Sequence, residues 1–170
     1  MWPVFDAWEA AGITIVFSNG NMGPFCGTAN SHADSPQVIG VGGTDSADSL
    51  YIRSSVGPSV YGTLKPDVAA PGVDVVSAHH TADDAYYTMT GTSMAAPHVA
   101  GAIAILKSQN PNLSTADVKR LLSDGSERNL ALTGRNCGGI REDVYPNHTY
   151  GCGRLNVFKS LRSLQAAAWT

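Results

Sequence analysis

Residues 91–101 read Gly-Thr-Ser-Met-Ala-Ala-Pro-His-Val-Ala-Gly, and this stretch decides the fold of the chain. It opens an Ala-rich segment that predicts a helix over residues 93–108, apolar nearly all round and therefore expected inside a core. Ser93 lies in the first turn, where free backbone N–H groups and about half a positive charge stabilise an oxyanion. An isolated Gly-Thr-Ser would indicate only a helix N-cap, so a catalytic interpretation depends on the whole stretch.

Segments on both sides of this helix alternate between short apolar runs and helical patterns. Gly42 and Gly43 are expected to end the second strand. Strands that alternate with helices favour a mostly parallel sheet covered on both faces, which is an α/β fold. The predicted helices span residues 2–11, 93–108, 114–123 and 156–168, and the predicted strands span residues 13–17, 37–41, 50–54, 73–77 and 85–89.

Residues 91–101 match, without a gap, the motif around the nucleophile of the subtilisin-like serine proteases, the subtilases. Residues 65–72, 13–24, 37–45 and 150–156 are similar to further motifs of the same family. The resemblance extends from about residue 12 to residue 167 and covers only the C-terminal half of the family's catalytic domain. It implies that residues 1–170 are one partial peptidase domain, part of a parallel-sheet, three-layer subtilisin-like fold.

The resemblance also implies a function, a serine endopeptidase that hydrolyses peptide bonds through an acyl-enzyme on Ser93. Asn21 is expected to donate its side-chain amide to the oxyanion, together with the Ser93 N–H. Without the motif around Ser93, Asn21 would only stabilise a turn. Ser18, Asn19 and Gly20 are expected to line the substrate cleft. The implied partner is a polypeptide substrate, and the chemistry requires no cofactor.

A complete catalytic triad is absent from this sequence. The family places an Asp-Ser/Thr-Gly motif and a His-Gly-Thr motif before the nucleophile, and neither occurs here. His98 follows Ser93 by five residues and should point about 140° away from it on a helix. A base and its carboxylate are therefore expected from preceding sequence. The alternative is a catalytically inactive fragment or pseudoenzyme that at most binds peptides.

Half of a catalytic domain is expected to expose strand edges and apolar faces that the other half would cover. We therefore predict that the isolated chain is marginally stable, or needs an N-terminal segment or propeptide to complement it. A cooperative melt of the isolated monomer at high temperature would contradict this prediction.

The charge and the composition of the chain restrict the classes of molecule that it is expected to bind. The net charge is −3 and no basic patch is present, which argues against nucleic acid. No apolar run approaches the ~20 residues of a membrane helix. Gly40-Val-Gly-Gly43 offers a nucleotide-binding alternative, but its spacing departs from G-x-G-x-x-G. The neighbouring His79 and His80 are a weak basis for a metal site, so no metal ligand is assigned.

An extracellular location is expected for the family, with the export signal upstream, since the N-terminus lacks the basic start of a signal peptide. Structural calcium is common in the family, and its main ligands are also expected upstream. Cys137 and Cys152 flank a turn-rich segment, so a disulfide between them is the expected pairing, with Cys26 left over. Three reduced thiols in a cytosolic protein are the alternative. Sequons at Asn112 and Asn147 add weak support for export.

Overall fold

The computed structural model describes residues 2–167 of the chain. These residues form four helices and seven strands. The helices are α1 (Trp2–Ala10), α2 (Thr92–Gln109), α3 (Thr115–Gly125) and α4 (Val157–Ala167), and the strands are β1 (Val16–Ser18), β2 (Ile39–Thr44), β3 (Val68–Pro71), β4 (Val75–Ala78), β5 (Tyr86–Met89), β6 (Asn136–Cys137) and β7 (Ile140–Arg141). None of these helices combines the length and the apolar character that crossing a membrane demands.

Strands β1, β2 and β3 form a parallel sheet in that order, with helices on both of its faces. Neighbouring residues of a strand point to opposite faces. Val16 accordingly packs into the core beneath α2, whereas Phe17 packs against Phe5 of α1, with ring centroids 5.8 Å apart. The predicted α/β fold is confirmed. The main core joins the sheet to α2 and α3 through Ile39, Val41, Val68, Val99, Ile103, Leu106, Val118, Leu121 and Leu122.

The glycine-rich part of β2 differs from its prediction, because the strand runs through Gly42 and Gly43 instead of ending before them. A Cβ on Gly42 would lie 3.2 Å from Pro66, so close packing explains the glycine there. Since these glycines pair within the sheet, they do not form a phosphate-binding loop, and the nucleotide-binding alternative is wrong. The strand predicted over residues 50–54 is also wrong. That segment turns, with the Ser54 N–H donating to Tyr51 O.

Strands β4 and β5 lie where the sequence predicts strands, but they pair with each other as an antiparallel hairpin outside the parallel sheet. All four residues of β5 and three of the four residues of β4 are exposed. The hairpin leads directly into α2, so it lies beside the first turn of that helix.

Helix α2 is buried on one side only, which corrects the prediction of a helix enclosed by a core. Val99 and Leu106 face the sheet and are fully buried, whereas Ile105 is 45% exposed on the outer side. The sheet lies against the opposite face of α2. No element within residues 2–167 covers the outer face. Within residues 2–167, β1 pairs only with β2 and forms an edge of the sheet. Marginal stability of the isolated chain stays a prediction.

Helix α3 begins as the sequence predicts. The Ser114 hydroxyl accepts a hydrogen bond from the Asp117 N–H at 3.1 Å, and the Asp117 carboxylate accepts one from the Ser114 N–H at 3.1 Å. This reciprocal capping box satisfies two donors that a helix start leaves without partners. Helix α3 then packs against α4, which completes the C-terminal part of the core.

The disulfide joins Cys26 to Cys137, with Cα atoms 5.5 Å apart, and not Cys137 to Cys152 as predicted. Cys152 is a buried free thiol that donates to Asp67 O at 2.9 Å. The backbone N–H of Cys152 also donates to Asp67 O. These contacts hold Cys152 beside the start of β3 and inside the main core, away from the short β6–β7 hairpin that carries Cys137.

Removal of this disulfide should destabilise the chain substantially. It closes a separation of 111 residues, and bridges of long loops contribute about 2–5 kcal/mol in chain-entropy models. We expect the double variant Cys26→Ser/Cys137→Ser to lose stability in this range in urea unfolding. The matched variant Cys152→Ser should stay within about 1 kcal/mol, since a hydroxyl also donates to Asp67 O. A peptide map that places Cys152 in a disulfide would contradict this assignment.

The Tyr150 hydroxyl hydrogen-bonds to two segments that are distant in sequence. Its ionisation should make the free energy of unfolding decrease at alkaline pH. The buried hydroxyl donates to Ala131 O at 2.6 Å and accepts from the Leu50 N–H at 3.0 Å. Burial raises the pKa of Tyr150 to about 12, from 10.0 for a free tyrosine. Because the pKa of Tyr150 is higher in the folded than in the unfolded protein, its protonated hydroxyl contributes fully to the free energy of unfolding below pH 10. This contribution is lost as pH rises towards 12, by roughly 2–3 kcal/mol.

Tyr150→Phe should therefore lower stability by about 1–3 kcal/mol at pH 8, because Leu50 N–H and Ala131 O lose their partner. It should also flatten the decline in stability above pH 10. Urea unfolding of both proteins between pH 8 and pH 11 measures the two effects. An equally steep alkaline decline in the variant would show that other groups cause it.

Candidate active site

Ser93 is presented by the carboxyl ends of the parallel strands. The Gly72 N–H donates to Thr44 O at the end of β2, and the Gly91 N–H donates to Gly72 O at 2.7 Å. A Cβ on Gly72 would lie 2.9 Å from Gly91 O, so this close approach requires a glycine. The contacts fix the start of α2 beside the sheet, with Ser93 exposed in its first turn.

Asn21 reaches the same helix start from the loop that follows β1. Gly20 allows this path because its φ is +104°, a conformation that side chains disfavour. The Asn21 Oδ1 accepts hydrogen bonds from the Thr92 N–H and from the Thr92 hydroxyl, both at 3.0 Å. With Oδ1 held in this way, the Nδ2 donor of Asn21 is oriented by Thr92. Sequence analysis missed Thr92 as a positioning residue, although it lies inside the motif.

The two predicted oxyanion donors flank a common point. A Cβ placed on Gly91 would lie 3.5 Å from Asn21 Nδ2 and 3.8 Å from the Ser93 backbone nitrogen. The first backbone N–H groups of a helix have no intrahelical acceptor and carry partial positive charge. The Asn21 side-chain amide and the Ser93 N–H therefore lie near each other beside the start of α2.

An open groove of about 330 Å³ runs between β4 and the start of α2. Apolar and polar side chains of both elements form its walls. They are Val75, Val76, Ser77, Ser93, Met94, Pro97 and His98. Ser93 lines this groove and is exposed.

The three residues expected to line the substrate cleft differ in their solvent exposure. Ser18 and Gly20 are partly exposed, but Asn19 is fully buried. The Asn19 amide donates to Ser55 O at 2.7 Å, and its backbone N–H donates to Val41 O. These bonds turn the Asn19 side chain into the protein, so that side chain does not line an open cleft, and the substrate-binding role of residues 18–20 stays a prediction. Asn19 anchors the loop that carries Asn21.

No histidine among the described residues hydrogen-bonds to Ser93. His98 lines the same groove, but its Nδ1 lies 2.8 Å from Met94 O, one turn back along α2. The rings of His79 and His80 contact each other at 4.4 Å beyond the end of β4. Within residues 2–167, no group of three or more His, Cys, Asp or Glu side chains is placed to hold a metal ion.

The Lys-Pro-Asp segment, residues 65–67, forms an ionic network around the buried Lys65 and lies outside the groove beside Ser93. Lys65 Nζ lies 2.6 Å from the Asp67 carboxylate and donates to Val38 O at 3.0 Å. Burial lowers the pKa of the Lys65 ammonium. Asp67 also accepts from the Gly40 N–H at 2.8 Å and pairs with Lys119. The network fastens the start of β2 to the segment before β3, at the ends of these strands opposite to Ser93.

Comparison with known proteins agrees with this architecture. Residues 3–153 match the model of the subtilase family, and the chain belongs to that family. It is similar to the serine protease AprX of Bacillus subtilis (strain 168), with 36% identity over 93% of this chain and 37% of AprX. It is also similar to subtilisin DY of Bacillus licheniformis, with 37% identity over 89% of this chain and 48% of that protein.

A third relative is the membrane-bound transcription factor site-1 protease of Homo sapiens. Its identity is 32% over 96% of this chain and 15% of that protein. The chain thus spans less than half the length of each of these three relatives.

Proposed function

We propose that this chain is the C-terminal half of a serine endopeptidase that hydrolyses peptide bonds through an acyl-enzyme on Ser93. The observation that carries the proposal is the Asn21 amide, bound to the N-terminus of α2 beside the exposed Ser93. Relatives named serine protease and subtilisin support the general class of activity.

In the proposed reaction, the Ser93 oxygen attacks the carbonyl carbon of a peptide bond and its proton passes to a base. The negative charge that develops on the carbonyl oxygen receives hydrogen bonds from Asn21 Nδ2 and from the Ser93 N–H. These donors are already oriented by Thr92 and by the helix, so little reorganisation is needed during the reaction. Collapse of the intermediate releases the amine product and leaves the acyl group on Ser93.

The base and its carboxylate are proposed to come from sequence that precedes this segment in the complete protein. A serine hydroxyl is a weak nucleophile near neutral pH without a base in hydrogen-bond reach. His98 does not meet this requirement, because its hydrogen bond goes to Met94 O.

The proposed substrate is a polypeptide bound along the groove between β4 and α2. We also propose an extracellular location, which the Cys26–Cys137 disulfide supports because such bonds persist in oxidising compartments. Structural calcium in the complete protein is proposed to be held by residues of the preceding half, so we assign it no ligand in this chain.

The test combines the coding sequence upstream of this segment with chemical labelling. The upstream frame should encode an Asp-Ser/Thr-Gly and a His-Gly-Thr motif. The protein that includes both motifs should react stoichiometrically with a fluorophosphonate probe, and a peptide map should place the label on Ser93. The 170-residue chain alone should label far more slowly, because it lacks the base.

The outcomes separate the proposal from its alternative. A well-folded complete protein that does not label at Ser93 would establish an inactive, at most peptide-binding, protein. Stoichiometric labelling of the isolated chain would show that a base is assembled within it, so the proposed origin of the base would be wrong.

A further inference from the structure

Two segments of the chain share the pattern Asn-x-Ser/Thr, but the fold treats them differently. They are Asn112-Leu-Ser114 and Asn147-His-Thr149. We propose that Asn112 is an acceptor for an N-linked glycan and that Asn147 stays unmodified in the folded protein. The inference rests on the proposed extracellular location and is independent of the chemistry at Ser93.

Asn112 lies in the short turn that connects α2 to α3, and it is exposed. Its backbone N–H donates to the Asn110 side chain at 3.1 Å, which closes the turn. The Asn112 side-chain amide makes no hydrogen bond within residues 2–167. A sugar attached to this nitrogen would project into solvent without displacing any contact of the fold.

Asn147 has the opposite surroundings. It is fully buried, and its Nδ2 donates to Glu142 O at 2.7 Å. Its Oδ1 accepts from the backbone N–H groups of Thr149 and Tyr150 at 2.9 and 2.8 Å. A glycan on Asn147 Nδ2 has no path to solvent, so molecules modified there would not complete this fold. The folded population should therefore carry a free Asn147 amide.

The disulfide supplies an independent reason to expect passage through a compartment where glycans are added. Cys26 and Cys137 are bonded across a separation of 111 residues. Such bonds persist in oxidising compartments, the eukaryotic secretory pathway among them, and are rare in the cytosol. In the eukaryotic secretory pathway, the compartment where these bonds form also presents lipid-linked oligosaccharide, the co-substrate of this modification.

Transfer of the glycan is a nucleophilic displacement at C1 of the first sugar. The Asn112 side-chain nitrogen forms a bond to C1 of the oligosaccharide, and the bond from C1 to the lipid pyrophosphate breaks. The amide nitrogen gives up one proton, and the lipid pyrophosphate leaves with the electron pair. Because the chain is modified as it enters the compartment, the Ser114 hydroxyl is available before it caps α3.

The position of Asn112 is compatible with an open active site. Helix α2 has 18 residues, which corresponds to a length of roughly 27 Å at 1.5 Å per residue. Ser93 lies in its first turn and Asn112 follows its last. A glycan at Asn112 would therefore stay at the end of α2 remote from the groove.

The direct test is peptide mapping of the protein secreted by its own source, with enzymatic release of N-glycans in ¹⁸O-labelled water. We expect Asn112 to convert to labelled aspartate and Asn147 to remain asparagine. An unmodified Asn112, or a glycan on Asn147 in folded protein, would overturn the proposal.

Variants of the complete protein provide a second test in a eukaryotic secretory host. Asn112→Gln should abolish a single glycosidase-sensitive mass increment. The matched variant Thr149→Val destroys the second sequon, keeps the Asn147 contacts and should leave the increment unchanged. If secretion is poor, the same comparison applies to the disulfide-bonded, protease-resistant fraction inside the cell. Loss of the increment in Thr149→Val alone would assign the glycan to Asn147 and refute the inference.

Discussion

Replacement of Ser93 by alanine in the complete protein should reduce kcat by on the order of 10⁶-fold, the effect established for loss of the nucleophile in a subtilisin. The loss is large because no acyl-enzyme can form. What remains is the weaker assistance of Asn21 and the helix N-terminus to direct attack by water. Steady-state hydrolysis of a chromogenic peptide, normalised to folded protein, measures the change.

Ser77→Ala is the matched control for this experiment. Ser77 lines the same groove on β4 and so lies beside the proposed substrate, but its hydroxyl takes no part in the bond-making and bond-breaking steps at Ser93. Its kcat should stay within a few-fold of that of the unmodified protein. Comparable loss in both variants would show that the groove, rather than the Ser93 hydroxyl, is being perturbed.

Replacement of Asn21 by aspartate should reduce kcat by about 10²–10³-fold, the range known for loss of this kind of donor in a subtilisin. Aspartate keeps an oxygen where Thr92 donates its two hydrogen bonds. A carboxylate is also favourable at a helix N-terminus, so folding stability should be preserved. The Nδ2 donor is lost and a negative charge is added beside the developing oxyanion, so the fall in kcat should reach at least this range, while KM should change little.

Asn21→Ala distinguishes the two contributions of this residue. It removes the acceptor for Thr92 as well as the donor, so it should lower the melting temperature in addition to kcat. Thermal melts and kcat are measured for both variants. Unchanged kcat in Asn21→Asp would show that Asn21 serves the fold alone, and the proposed oxyanion site would then be rejected.

Several features could be predicted from the sequence because they depend on nearby residues. The start of α3 at Ser114 follows from hydrogen bonds over three residues. Helix α2 follows from a long Ala-rich segment, and it continues past Pro97. In each case the deciding interactions lie within one or two helical turns.

Other features depend on contacts between distant segments, which a local pattern does not contain. Gly42 and Gly43 read as a strand end, yet they pair with Ala69 and Ala70 of β3 as strand residues. The Asn19 side chain is expected to line the cleft, yet its bond to Ser55 O turns it into the protein. In these places a hydrogen bond or a steric contact from elsewhere in the chain overrides the local preference.

The sequence by itself determined the subtilase family, the alternation of helices and strands, and the hydroxyl at the start of α2, since all three are carried by short, contiguous motifs. Only the tertiary structure decided that Cys26 pairs with Cys137, that Asn147 is buried while Asn112 is exposed, and that the outer face of α2 is uncovered. Cysteine pairing and burial depend on which segments meet in space, and that is decided by the packing of the whole chain rather than by any one stretch of it.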